Sequence, residues 1–183
     1  MTTTAQLRTL AVAALTGATN AGSNVFSPLD WPTWSGDYPV LFVTTPDEDA
    51  EGLGRNGPPQ FNVTATLHVV GRIEQMSAGN DQGAAAAYAA LEVLRDQVKV
   101  ALINYPPLMS LLQQFPFYRT RMRVDADGEQ HLGEVTVDIG LEFYQGPEDF
   151  YVIPSVPLTE VDITIQEPSG TTEPGLTIIL PQT

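Results

Sequence analysis

The amino-acid sequence predicts an α+β fold: a two-layer sandwich of a mostly antiparallel sheet packed on two helices, in the order α-β-β-α-β-β, with a C-terminal β-rich arm. Three observations predict it. From Gln60 onward, Phe61, Val63, Ala65, Leu67 and Val69 alternate with Asn62, Thr64, Thr66 and His68, the period of a strand with one face on a core. Between Asp81 and Ile103 the leucines fall instead at helical spacing. Around Asp125-Ala126-Asp127-Gly128 two further strand-like runs meet at a turn, as in a hairpin. Hairpins interleaved with helices favour a helical layer on one face of an antiparallel sheet.

Taken in order, Thr3 or Thr4 caps a first helix, with Leu7, Leu10, Ala11, Ala14 and Leu15 on one apolar face and Gly22 as its latest end. The apolar run Leu10–Leu15 is too short for a membrane span and lacks the basic region of a signal peptide, so no membrane partner is expected. "NVFSPLDWPTWSGDYP" holds Trp31 and Trp34 among Pro, Gly and Asp, and reads as an ordered loop. "VLFVTT" (Val40–Thr45) is a short strand of the buried type. "PDEDAEGLGRNGPP" reads as an acidic loop, with Arg55 and Asn56 near its tip, leading into the alternating strand from Gln60.

In the second helix Leu91, Leu94, Val98 and Leu102 make the core stripe, while Val93 and Val100 fall roughly opposite, beside Ala86. One small sheet does not require a helix with two apolar faces. The second is covered either by a loop of the same chain or by another subunit. "NYPPLMSLLQQFP" breaks the helix at Pro106. In the hairpin that follows, Arg119, Arg121 and Arg123 point to one side, and Glu134 and Asp138 recur at matching spacing. A register pairing Arg123 with Glu134 and Arg119 with Asp138 makes a cross-strand charge ladder that leaves Glu142 unpaired. From residue 154 the composition shifts to prolines, no Lys or Arg, and two strand-like runs, "LTEVDITIQ" and "GLTIIL". This divides the chain into a domain over 1–153 and an arm over 154–183 that folds back or lies on a neighbour.

The chemical inventory is sparse. The formal net charge is −14, and no Lys or Arg follows Arg123. Such a surface disfavours a tight grip on nucleic acid, which rests on neutralising phosphates. There is no cysteine, so disulfides and thiolate chemistry are excluded. His68 and His131 show no metal-ligand spacing and read as surface residues. "GLGRNGPP" precedes a strand and carries two prolines, which excludes a phosphate cradle at a helix start. No catalytic residue, cofactor or metal is assigned, and a small soluble enzyme or an acidic DNA mimic is the reading from a different class.

Particular segments carry a resemblance. "VFSPLDWPTW", the "PVLFVTTP" strand, "LGRNGPPQFNVTATLHVVGRIE" and "EQHLGEVTVDIGLEFYQGPEDF" resemble the tail terminator proteins of long-tailed bacteriophages and related prophages, over about residues 5–153. The resemblance implies a small α+β domain forming a hexameric ring on the last ring of tail tube protein. Such a ring ends tube polymerisation, docks the head–tail connector or adaptor, and lets DNA pass through its lumen, in the tail or neck of the virion. The alternative in the same class is another neck component, a head–tail adaptor or tail-completion protein. A ring needs two unlike sticky surfaces on each subunit. The candidates for inter-subunit contact are Arg55, Asn56, Trp31, Trp34, Val93 and Val100, and the candidates for an acidic lumen or surface are Glu134, Asp138 and Glu142.

Overall fold

The computed structural model describes residues 1–27, 36–54, 57–76, 82–127, 130–151, 159–166 and 172–179. Trp31, Trp34, Arg55 and Asn56 lie outside the described residues. The chain divides into two compact units, Met1–Phe150 and Tyr151–Thr183.

The first unit opens with α1 (Thr4–Leu15), whose N-terminus is capped by Thr3, the side-chain oxygen of which accepts from Gln6 N. Gly17 and Gly22 turn the chain after it with positive φ. A five-stranded sheet follows in the spatial order β1-β2-β3-β5-β4. Its strands are β1 (Val25–Phe26), β2 (Val40–Gly52), β3 (Phe61–Met76), β4 (Tyr118–Asp127) and β5 (Gln130–Gln145). Only β1 runs parallel to its neighbour, and it pairs through two residues alone. α2 (Gln82–Ile103) and the short α3 (Pro106–Met109) lie between β3 and β4, and α4 (Pro147–Phe150) follows β5. This is the α+β sandwich that the alternation and helical spacing predict.

The core lies between the sheet and the helical layer. Val63, Leu67, Val69 and Ile73 of β3 and Val135, Val137, Ile139 and Leu141 of β5 face Leu91, Leu94, Val98 and Leu102 of α2, and Leu7 and Leu15 of α1 join the same cluster. The α2 stripe read from helical spacing is the buried one. Its close approach depends on Gly71, where a Cβ would meet Leu94 Cδ2 and Val135 Cγ1, each at 2.9 Å. A larger residue there would force the Leu94 and Val135 side chains to shift.

Two boundaries differ from expectation. β2 continues to Gly52, so "PDEDAEG" is strand and not loop. A bulge between Thr44 and Asp47 takes up Pro46, and pairing with β3 then resumes to Gly52↔Phe61. Proline is tolerated there because it sits at a bulge on a strand whose outer side is unpaired. The β4 strand also runs two residues past Asp125, and its last pair is Asp127↔Gln130.

The second unit contains β6 (Glu160–Gln166) and β7 (Thr172–Ile179), paired antiparallel with an irregularity between Ile163 and Ile165. Thr177 Oγ1 donates to Asp162 Oδ1 at 2.6 Å across the pair. Ile163, Ile178 and Ile179 are exposed. A two-stranded hairpin of this kind is marginal on its own in water.

Candidate interaction surfaces

Residues paired across an antiparallel ladder share a face, so the register determines what the outer side of the sheet presents. It places His68 beside Asp138 and Arg72 beside Glu134 across β3 and β5. It also places Arg119 beside Asp138 and Arg123 beside Glu134 across β4 and β5, the register that the charge spacing predicts. Only one rung of the expected ladder forms. Arg123 Nη2 lies 3.2 Å from Glu134 Oε1, and Arg72 Nε donates to Glu134 Oε2 at 3.0 Å. One carboxylate is thus held by two guanidinium groups. The second rung is replaced: His68 Nδ1 lies 2.6 Å from Asp138 Oδ1, and Arg119 stacks instead over the Phe117 ring, 4.8 Å from its centroid.

His68 is therefore half-buried and engaged, not the plain surface histidine its strand position suggests. Among the described residues no hydroxyl hydrogen-bonds to it, and the pair ties β3 to β5. Glu142, expected to be unpaired, accepts from Gln114 Nε2 at 2.9 Å. Gln114 and Phe117 reach this face because the chain before β4 crosses over Gly140, where a Cβ would sit 2.7 Å from Pro116 Cγ. Glu134, Asp138 and Glu142 do share one face, as their alternation requires, but each already has a partner. Around β3 and β5 the face is a hydrogen-bonded polar network, with Glu134 held by two guanidinium groups and Glu142 by a neutral amide. Among the described residues no cluster of His, Asp and Glu could hold a metal ion, and no helix is long and apolar enough to cross a membrane.

The second surface is the far side of α2. Val93 is 49% and Val100 57% exposed, and with Ala18, Gln97 and Ala101 they line a shallow, mostly apolar groove. No described residue of the unit Met1–Phe150 covers it. Beside it, Arg95 Nε donates to Asp96 Oδ1 at 2.9 Å, which holds the carboxyl below its ordinary range and raises the guanidinium. Burial pushes the Tyr118 phenol up, and its hydroxyl has no hydrogen-bond partner.

The sheet edges form the third surface, which the sequence reading missed. β1 covers β2 only at Leu41 and Phe42, so from Thr44 to Gly52 the outer side of β2 is unpaired among the described residues. Past the bulge, Asp47, Asp49 and Glu51 pair with Thr66, Thr64 and Asn62, which places them on the outer face. Glu48 points to the helical side and accepts a hydrogen bond from Thr4. At the opposite edge β4 is unpaired on its outer side among the described residues and carries Arg119, Arg121 and Arg123 on that same outer face. Reading residues 46–52 as a loop hid the acidic edge, because Glu48 at an inward position interrupts the alternation that would have marked a strand.

No protein-family model matches the chain, and no curated protein shows significant similarity to it. What the arrangement offers is contact chemistry: an apolar groove, two free backbone edges and fixed charges of both signs.

Proposed function

We propose that this chain is a structural virion protein, a tail terminator. In this reading it assembles into a ring, hexameric by the family resemblance, that caps a phage tail tube. The ring ends tube polymerisation and docks the head–tail connector. One observation carries the reading beyond the resemblance: the unit Met1–Phe150, taken by itself, presents several unlike surfaces, the apolar groove on α2 and two oppositely charged sheet edges. Closed rings are built from heterologous contacts, which require two different surfaces on each subunit. The charge of −14 suits a lumen that DNA traverses without being held.

Deletion of the gene tests the reading. Overlong tails are the expected result, together with a light-scattering mass several times that of one chain for the purified protein, alone or with tube subunits. Tails of normal length that fail to join heads would transfer the protein to the adaptor role. Normal tails on normal virions would overturn both.

A further inference from the structure

We infer that copies of this chain join head to tail by edge pairing, the arginine-bearing edge of β4 in one copy adding to the acidic edge of β2 (Thr44–Gly52) in the next. The inference rests on the ring reading in taking the occupant of these edges to be a second copy. The chain itself supplies both halves of the contact. Arg121 is exposed and has no carboxylate partner among the described residues, and the same is true of Asp47, Asp49 and Glu51 for cations. The sequence holds only eight Lys and Arg against twenty-two Asp and Glu, yet three of the eight stand in a row on β4. Exposed strand edges are templates for another strand, and opposite charges directly across such a pair are favourable.

The geometry agrees in direction and offset. β2–β3, β3–β5 and β5–β4 are all antiparallel, so β4 runs opposite to β2. A neighbour's β4 laid beside β2 with the same face outward therefore continues an antiparallel sheet, and the arginines fall on the side of Asp47, Asp49 and Glu51. β1 is too short to obstruct this half of β2. Arg121 lies level with Thr136 and Val70, whereas Asp49 lies level with Thr64, six residues away along β3. Bringing the two together shifts each copy by about 20 Å along the strands, at ~3.3 Å per residue. Four strands spaced at ~4.8 Å span about 19 Å. The two lengths imply strands tilted by about 45° to a closing axis, the tilt of closed barrels. The offset demanded by the charges is thus one that a closed ring accommodates.

Two variants with reversed edges test the inference. One carries Arg119→Glu with Arg121→Glu, and the other Asp49→Lys with Glu51→Lys. Each alone places like charges at every junction and is expected to need about 100-fold more protein for half-assembly. Each stays folded as a single chain by far-UV circular dichroism, since the four residues are exposed. Mixed in equal amounts, they regain the wild-type mass, because every junction then joins opposite charges. The single reversals Arg121→Glu and Asp49→Lys repeat the measurement should a double variant fail to fold. Assembly of either variant alone at wild-type concentration would overturn the inference while leaving the ring reading intact. A mixture that stays as single chains would also overturn it, marking the charges as guards against edge association. Overlong tails are the separate test: edge-joined rings with normal tails in the deletion strain would keep the inference and remove the terminator role.

Discussion

The two faces of one sheet are built from the same strands and do different work. Toward α2, the middles of β3 and β5 present Val, Leu and Ile in an apolar layer, and the hydrogen-bonding Gln145 stands at its end, donating to Thr2 O. Away from it, the alternate residues of the same strands present His68, Arg72, Glu134, Asp138 and Glu142 in a network of cross-strand pairs. The first face takes its stability from area and close packing, which tolerate no gap. The second consists of partly solvated pairs, each worth little alone. That leaves it free to change and to carry contacts without unfolding the domain.

The largest break in this comparison is expected on the dry side. Leu94→Ala removes the side chain that fills the space over Gly71 and should destabilise the domain by about 2–5 kcal/mol in urea unfolding, with an unchanged slope. A cost near zero would mean that α2 is not seated as described.

On the polar face, Glu134→Ala removes the carboxylate shared by Arg72 and Arg123 and should cost about 1–2 kcal/mol. Glu134→Gln should recover part of this by keeping an acceptor for Arg72. A double-mutant cycle with Arg72→Ala gives the coupling. A loss as large as that of Leu94→Ala would erase the distinction between the faces.

The smallest effect is expected at Tyr118, which faces the helices from β4 and whose buried hydroxyl lacks a partner. Tyr118→Phe should be neutral, or stabilising by up to about 1 kcal/mol, because it removes an unsatisfied group. The ring contact with Lys99 Nζ, 5.0 Å from the Tyr118 centroid, survives the change. The pH dependence has a definite sign. Burial raises the folded-state phenol above its unfolded value of about 10, so above that pH the unfolded chain binds fewer protons than the folded one. Wild-type stability therefore falls as pH rises through about 10, and the Phe variant lacks this component. Identical alkaline limbs in chemical denaturation would show that Tyr118 is not buried as described.

Much of the domain was legible in the sequence. The core stripe Leu91, Leu94, Val98 and Leu102 follows from helical spacing, and the buried side of β3 and β5 follows from alternation. The β4–β5 register was readable because only two residues of the chain separate the two strands and opposite charges fall in step. The partner of Asp138 was not readable. His68 lies seventy residues away in the chain, and only the placement of β3 beside β5 lets it displace Arg119 from that carboxylate. The edge half of β2 was misread because Pro46 and a run of acids disfavour a strand locally, whereas pairing to β3 on one side and the bulge make it tolerable.

By itself the sequence determined the period of each element, the face that each side chain takes, and the pairing of strands that only a few residues separate. These are local properties, set by 3.6 or 2 residues per repeat and by short loop closure. The tertiary structure alone decided which strands became edges, which cations met which carboxylates, and that β2's acidic half and β4's arginines were left facing outward at opposite sides of the sheet. Strand order depends on contacts between segments far apart in the chain, and no local period encodes it.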